Sequence, residues 1–375
     1  MKWAARRTAL ISVTGALAAS AVVMTIGPAS ARSHPHPYAP ALTSSLTADA
    51  TTVTGHAAAI TAGQQAGVRR YWTRARMKRA TPLYPAPLKH LLTSNQPGQP
   101  NQPGQTNQPG QTGQTGQAVG QRAPVAVGGT LAVPAQAPPK QLLSAAVDGA
   151  QWNGGGAVAR TTGKVFFSMG SDDYVCSGST VASANADVVI TAAHCAKNGT
   201  GGWATNWTFV PGYSDGNEPY GSFTAKKFYV ASQWSKQADN DYDVAFVTLN
   251  RAKVDGTRVD AGQEVGGQGI EFGHQPAQVT AFGYPADPPY SGGQIYYCGG
   301  RVHPDPYHET SDTGLDCAMT AGSSGGPWLA GFNQAAGTGT IVSVSSFKYS
   351  NNDRTLFGTP LGSAAQQLYR SAAAS

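Results

Sequence analysis

The sequence predicts an all-β fold over residues 141–375, built as a sandwich or a pair of barrels, with a single helix at the C-terminus. Short runs rich in Val, Ile, Phe, Tyr and Thr recur there between Gly, Asn, Asp and Pro, a pattern typical of many short strands. The 231 residues from 145 to 375 are enough for two modest β-barrels. Only the last segment, 363–372, has a helical pattern.

The N-terminus has the features of an export signal. A positive start is followed by an apolar, small-residue stretch over 9–26 and then by Ala29-Ser30-Ala31, the pattern that a signal peptidase needs. We therefore expect residues 1–31 to be a signal peptide. Once this peptide is removed, the protein is expected to be secreted and extracellular, with no membrane contact. The alternative is an uncleaved membrane anchor, but the stretch is barely long enough and is diluted by Ser, Thr and Gly.

Residues 32–140 are expected to be a propeptide and a linker. Residues 32–94 are rich in Ala, Thr, Pro and His, include a basic run at 69–79, and are predicted to be weakly ordered. Asn-Gln-Pro-Gly-Gln then repeats with a period of six, too short for a solenoid unit and too polar to offset the chain entropy lost on folding. Residues 95–140 are thus interpreted as a flexible linker, with a cell-wall tether as the alternative.

The charge is divided unevenly along the chain. Residues 1–144 have a net charge of +12, whereas residues 145–375 have a net charge of −6. The basic isoelectric point, about 9.1, therefore belongs to the N-terminal part, and no nucleic-acid partner is expected. A positive propeptide would complement the acidic part, which could aid folding or inhibition.

The predicted strands follow one another from residue 165 onwards. Six β-rich runs stand out: Val165–Phe167, Val188–Thr191, Trp207–Val210, Val244–Val247, Val279–Phe282 and Ile341–Val344. In the C-terminal helix, Ser363 is the expected cap, with Gln366 three residues on as in a capping box.

All four cysteines lie in the acidic part: Cys176, Cys195, Cys298 and Cys317. An even number in an exported chain predicts two disulfides, and the sequence alone leaves three connectivities open. No CxxC pair is present, so no structural zinc site is expected, and neither is any other metal or cofactor.

Three short segments have the residues needed for acyl chemistry: TAAHC at 191–195, DYDVAF at 241–246 and GSSGGP at 322–327. A serine between glycines sits in a tight turn that exposes its hydroxyl. The same turn can direct the N–H groups of Gly322 and Ser324 to one point, where they would stabilise an oxyanion.

A serine hydroxyl is a weak nucleophile and needs a neighbouring base. We expect His194 to be that base, because an imidazole titrates near neutral pH. A carboxylate must then orient the ring and stabilise its charged form. Asp243 is the expected acid, and Asp241 is the competing candidate.

The three segments resemble those of the chymotrypsin-like (trypsin-like) serine peptidases, and the resemblance covers residues 150–375. TAAHC matches that family's histidine motif, GSSGGP matches its GDSGGP motif except at Ser323, and Asp243-Val244-Ala245 matches its D-[IV]-A pattern. The Phe282-Gly283-Tyr284-Pro285 stretch resembles bacterial members of the glutamyl-endopeptidase-like branch.

The resemblance implies two six-stranded antiparallel barrels, at about 150–258 and 259–362, with His194, Asp243 and Ser324 in the cleft. It implies a Cys176–Cys195 bridge, which leaves Cys298 to pair with Cys317. It also implies that Ser343, on the strand along which substrate pairs, helps to hold Asp243.

Two departures from the family pattern matter. Ser323 stands where many members have an aspartate that pairs with a newly freed N-terminal amine, so this activation switch is expected to be absent. Ala318 stands where trypsin-type members have the acid that binds Arg or Lys. An apolar pocket lined by Met319 and Val344 is the expectation in its place.

Together these features predict a monomeric, secreted serine endopeptidase that cleaves protein or peptide substrates through an acyl-enzyme. Its own propeptide and the cell wall are further candidate partners. The main rival is a catalytically inactive protease-fold binding protein or adhesin, which predicts a lost triad residue. An esterase or transferase with the same triad is the second rival.

Overall fold

The computed structural model describes residues 52–84 and 147–375. The expected signal peptide and the linker at 95–140 lie outside the described residues. The described strands are, in chain order, β1 Val53–Ala57, β2 Thr81–Pro82, β3 Val147–Gln151, β4 Thr162–Met169, β5 Asp172–Thr180, β6 Val188–Thr191, β7 Thr205–Pro211, β8 Phe223–Ala231, β9 Ala245–Leu249, β10 Ala252–Val254, β11 Thr257–Val259, β12 Gly269–Ile270, β13 Gln278–Gly283, β14 Tyr296–Pro304, β15 Thr313–Asp316, β16 Pro327–Asn333, β17 Thr338–Tyr349 and β18 Asn352–Pro360. The described α-helices are α1 Ala62–Tyr71, α2 Arg74–Arg79, α3 Gly156–Thr161, α4 Ser232–Gln237, α5 Ala261–Val265 and α6 Ser363–Ala373.

The first barrel closes from six antiparallel strands. Their order is β7-β4-β5-β6-β9-β8, and the β7–β8 pairing completes the ring. The strands hold a core of fully buried apolar side chains, among them Val165, Phe167, Phe209, Phe228 and Val247. Closure leaves no exposed edge within the ring, which suits strands as apolar as these.

The second barrel repeats this plan with β16-β13-β14-β15-β18-β17, closed by the β16–β17 pairing. Its core includes Val279, Leu315, Trp328, Val342 and Leu356. The prediction of two six-stranded antiparallel barrels is therefore confirmed. One strand departs from the chain order: β3 precedes the first barrel in sequence but pairs with β14 of the second.

The N-terminal segment corrects one expectation. Residues 32–94 were predicted to be weakly ordered, yet residues 52–84 form β1, α1, α2 and β2, all packed on the first barrel. The prediction rested on the polar composition of the segment, but several of its apolar side chains are buried against the barrel: Trp72 is 6% exposed and Met77 is 3% exposed.

The C-terminal helix was predicted over 363–372 and is observed as α6, but its predicted cap is wrong. The cap residue is Gly362, and its backbone carbonyl, not the Ser363 side chain, accepts from the Gln366 N–H. Tyr369 Oη donates to the Ala182 carbonyl, which ties the helix back to the first barrel. Within the two described stretches, no helix combines the length and apolar character needed to cross a bilayer.

Candidate active site

Two paired strand ends place His194 beside Asp243. β6 and β9 are antiparallel neighbours with Thr191 opposite Ala245, so the C-terminal end of one strand meets the N-terminal start of the other. His194 lies in a short 3-10 turn just after β6, and Asp243 lies just before β9. The 49-residue separation in sequence thus becomes direct contact in the first barrel.

Both carboxylate oxygens of Asp243 are engaged, and its side chain is fully buried. Oδ2 lies 2.7 Å from His194 Nδ1 and accepts a 2.6 Å hydrogen bond from Ser346 Oγ. Oδ1 accepts the backbone N–H of His194 at 2.8 Å. This arrangement fixes the imidazole with Nδ1 toward the carboxylate and Nε2 on the opposite side.

Glycines shape the loop that holds Ser324, which connects β15 to β16 in the second barrel. Gly322 has φ +97° and Gly325 has φ +78°, values that other residues resist. A Cβ on Gly325 would lie 2.1 Å from Thr191 Oγ1 and 2.6 Å from the Ala192 backbone nitrogen. The serine loop therefore touches the backbone that leads directly into His194, and only a glycine fits at that contact.

Ser177 anchors the serine loop to the first barrel. Its N–H donates to the Ser324 carbonyl at 2.7 Å, and its hydroxyl donates to the Gly322 carbonyl at 2.8 Å. The Tyr284 N–H in turn donates to Ser177 Oγ at 2.8 Å. These bonds point the two loop carbonyls toward Ser177 and join the two barrels at the site.

The N–H groups of Gly322 and Ser324, which are expected to bind an oxyanion, differ from neighbouring N–H groups in their hydrogen bonding. The N–H groups of Ser323, Gly325 and Gly326 donate to backbone carbonyls. Within residues 52–84 and 147–375, the N–H groups of Gly322 and Ser324 have no such acceptor. Two free donors on either side of Ser323 are suited to stabilising charge that develops next to Ser324 Oγ.

His194 Nε2 is the atom that would serve as the base. It is buried and has no hydrogen-bond partner among the described residues, so the ring nitrogen opposite Asp243 is free. Ser324 is 5% exposed, and its carbonyl oxygen lies 3.9 Å from the sulfur of Cys195, the residue after His194. No hydrogen bond joins Ser324 Oγ to His194 Nε2 among the described residues, and catalysis requires this contact to form when substrate binds.

Both disulfides have the predicted pairing. Cys176–Cys195 has an S–S distance of 2.03 Å, and Cys298–Cys317 has one of 2.04 Å. Cys176, His194 and Cys195 form a cluster whose potential ligand atoms lie within 4.8 Å of one another. Because both sulfurs are in a disulfide, this cluster supplies no thiolate for a metal ion.

The serine that holds Asp243 is not the predicted one. Ser343 Oγ donates to the Thr359 carbonyl at 2.9 Å, and it is Ser346 that bonds to the carboxylate. The two serines are three positions apart on β17, and an odd offset puts side chains on opposite faces of a strand. A register shift in the β17–β18 pairing between Ser345 and Phe347 also changes the direction of the Ser346 side chain. No local sequence pattern distinguishes Ser346 from Ser343 as the partner of Asp243.

Two other acids lie near Asp243 without touching His194. Asp241, the competing candidate, accepts the Ser311 N–H at 2.7 Å, so it joins the barrels instead of orienting the ring. Asp312 is 1% exposed, and its Oδ2 accepts from Thr359 Oγ1 at 3.1 Å. Burial, followed by the charges of Asp243 and Asp241, raises the pKa of Asp312 well above its usual range.

Ser323 is satisfied locally. It is 1% exposed, and its hydroxyl donates to the Thr320 carbonyl at 2.7 Å. A buried hydroxyl that already has a backbone acceptor needs no ammonium partner to keep the loop in place. This geometry is compatible with a loop that forms without a freed N-terminal amine.

A cavity of about 360 Å³ opens beside Ser324, lined by Tyr84, Met319, Phe347, Lys348, Leu356 and neighbouring residues. Met319 is on its wall as expected, but Val344 is buried elsewhere in the core and does not line it. Lys348 Nζ donates to the Cys317 carbonyl at 2.6 Å and also to the Asp353 carbonyl. Burial lowers the pKa of Lys348 to about 8.

One family model and several solved structures match the chain. Residues 152–365 match the family model described as Trypsin. The solved protease Anisep from Arthrobacter nicotinovorans is 37% identical, with a TM-score of 0.55 over 60% of this chain and 100% of that protein. The thermostable serine protease AL20 from an extremophilic microorganism is 36% identical, with a TM-score of 0.54 over 58% of this chain and 99% of that protein.

Other similarities are narrower. A protein named extracellular metalloprotease from Bacillus subtilis (strain 168) is 35% identical over 80 residues, which are 21% of this chain and only 25% of that protein. A solved Glu endopeptidase is 20% identical, with a TM-score of 0.49 over 61% of this chain and 97% of that protein, and the glutamyl-endopeptidase-like branch stays a prediction.

Proposed function

The chain belongs to the trypsin family and is a serine-type endopeptidase, and we propose that it cleaves peptide bonds through His194, Asp243 and Ser324. Its substrates are peptides or proteins. The observation that carries the assignment of residues is the hydrogen-bonded pair of Asp243 and His194, with the free His194 Nε2 on the side away from the carboxylate.

The proposed reaction begins when Ser324 Oγ attacks the scissile carbonyl carbon and His194 Nε2 takes the hydroxyl proton. The carbonyl oxygen becomes an oxyanion and accepts from the Gly322 and Ser324 N–H groups. The C–N bond then breaks, and His194 returns its proton to the leaving amine. Water attacks the resulting ester with His194 again as base, which releases the acid and restores the Ser324 hydroxyl.

Asp243 holds the ring throughout and stabilises the imidazolium that each proton transfer creates. Ser346 and the His194 backbone N–H hold the carboxylate in turn. Because His194 and Asp243 come from one barrel and Ser324 from the other, the site is complete only when both barrels are folded and packed together.

We propose further that the protein is exported by residues 1–31 and acts outside the cell as a monomer, with residues 32–140 as its propeptide and linker. Two disulfides support export, because such bonds persist in oxidising compartments. A cell-wall tether in the linker stays a prediction.

Hydrolysis of casein by wild type, Ser324→Ala, His194→Ala and the double variant tests the assignment. Each single substitution should lower kcat by about 10⁶-fold, and the double variant should be no worse, because the residues act as a unit. Additive losses, or a Ser324→Ala enzyme with normal activity, would contradict the proposal. The alternative of an inactive binding protein predicts a lost triad residue, whereas this chain has His194, Asp243 and Ser324.

A further inference from the structure

The N-terminal segment that we call the docked segment, residues 52–84, is bound to the first barrel as an added strand. All five residues of β1 pair antiparallel with β8, from Val53 opposite Ala231 to Ala57 opposite Lys227. The Ala58 and Ala59 N–H groups continue the ladder by donating to the Lys226 and Ala225 carbonyls. The docked segment thus has a defined register on the barrel.

Side-chain anchors and charge add to that pairing. The Trp72 ring lies 5.5 Å from the Phe166 ring, and its Nε1 donates to the Asn206 carbonyl. Tyr71 Oη donates to Asp173 Oδ1 at 2.7 Å, and Arg76 Nε lies 3.6 Å from the other oxygen of that carboxylate. The docked segment has six Lys or Arg residues and no acid, whereas the barrels are acidic overall.

The last residues of the docked segment cross the cleft. β2 pairs in parallel with Tyr174 and Val175, next to the cysteine bridged to Cys195. Leu83 then packs against the apolar cluster of the first barrel that contains this disulfide. The next residue, Tyr84, lines the cavity beside Ser324, and its hydroxyl donates to Asp287 Oδ2 of the second barrel at 2.5 Å.

Two consecutive side chains therefore contact different barrels: Leu83 packs on the first, and Tyr84 bonds to the second beside the cavity. Tyr84 is one of the residues that line the cavity, and its 60% exposure places it at the rim, not in the interior. Burial and the Asp287 carboxylate raise the pKa of Tyr84 to about 12, so its hydroxyl remains a donor at neutral pH. The docked segment lies outside residues 152–365, which match the family.

From this placement we propose that the docked segment is a built-in competitive inhibitor, in which Tyr84 bars substrate from the cavity beside Ser324 and Leu83 anchors Tyr84 to the first barrel. The inference rests on the proposed function, because it needs that cavity to receive substrate. A tethered segment competes at an effective concentration of about millimolar, well above usual substrate levels. Removal of its last contacts should therefore expose the site without changing the chemistry.

The test compares three exported full-length chains: wild type, Leu83→Ala/Tyr84→Ala, and Ile60→Ala. Ile60 is a matched control, because it lies in the same segment and is 60% exposed. Initial rates of hydrolysis of a fluorogenic peptide mixture are measured on chains whose intact mass shows no cut. The double variant should lower the apparent KM about tenfold with kcat within twofold, and Ile60→Ala should match wild type.

Each other outcome has a distinct meaning. Equal KM values for wild type and the double variant would overturn the inhibitor role and leave the proposed function intact. A change in thermal stability without a change in KM would also overturn it, since that is what a folding aid predicts. No hydrolysis by any of the three chains would reject the proposed function and the inference with it.

Discussion

Replacement of Gly325 by alanine tests whether the two barrels meet at the backbone of the serine loop. The new methyl would lie 2.1 Å from Thr191 Oγ1, 2.5 Å from the Ser177 carbonyl oxygen and 2.6 Å from the Ala192 nitrogen. Two of these three atoms are backbone, so no rotamer change can relieve the clash. The left-handed conformation costs about 1–2 kcal/mol for alanine, and overpacking adds about 1–3 kcal/mol.

Gly331→Ala is the matched control, since Gly331 also has a positive φ, +57°, but has no atom within 4 Å of its would-be Cβ. Gly325→Ala should therefore lower the free energy of unfolding by about 1–3 kcal/mol more than the control. In thermal scans this corresponds to about 2–4 °C in Tm for each kcal/mol in a domain of this size.

Activity should separate the two variants more sharply than stability. A shift of about 1 Å between Ser324 and His194 costs about 100-fold in rate, and Gly325→Ala forces such a shift. Its kcat/KM, measured well below Tm, should fall by about that factor, whereas Gly331→Ala should stay within about threefold of wild type. Equal Tm and equal activity for the two variants would refute the claimed contact.

Other predictions concern the groups around Asp243. Ser346→Ala should lower kcat/KM by about 10–100-fold, because a hydrogen bond to a charged group contributes about 1.5–3 kcal/mol. Ser343→Ala should keep kcat/KM within about twofold of wild type. Equal losses for the two variants in steady-state assays would show that Ser346 has no special role in holding Asp243. Asp312→Asn should stabilise the protein increasingly as pH rises. The raised pKa of Asp312 in the folded state means that unfolding releases its proton, so its stability cost grows above pH 3.8 by up to about 1.36 kcal/mol per pH unit until the folded-state pKa is reached. Urea unfolding at pH 4, 6 and 8 measures this, with exposed Asp316→Asn as control, and a gain independent of pH would contradict it.

Local patterns sufficed to predict the two barrels, and they also singled out the residues that we propose as catalytic. Apolar β-rich runs such as Val188–Thr191 are typical of buried strands, and all six predicted runs overlap observed strands. Gly322 and Gly325 likewise predicted a turn, and both have the positive φ values that glycine allows.

Long-range register could not be predicted in the same way. Whether Ser343 or Ser346 reaches Asp243 depends on an irregularity in β17, which no local pattern reveals. The order of residues 52–84 depends on surface supplied by β5 and β8, whose paired residues lie 93 to 178 positions further along the chain. The polar composition of the segment gives no sign of that surface. The buried Asp312 could not be recognised from sequence for the same reason.

Labelling with a biotinylated fluorophosphonate, followed by peptide mapping, tests most directly whether the two barrels assemble one nucleophilic site. The label should be found on Ser324 alone, and His194→Ala should slow its attachment by orders of magnitude because the hydroxyl would lose its base. Labelling at another serine, or an unchanged rate in His194→Ala, would contradict the account.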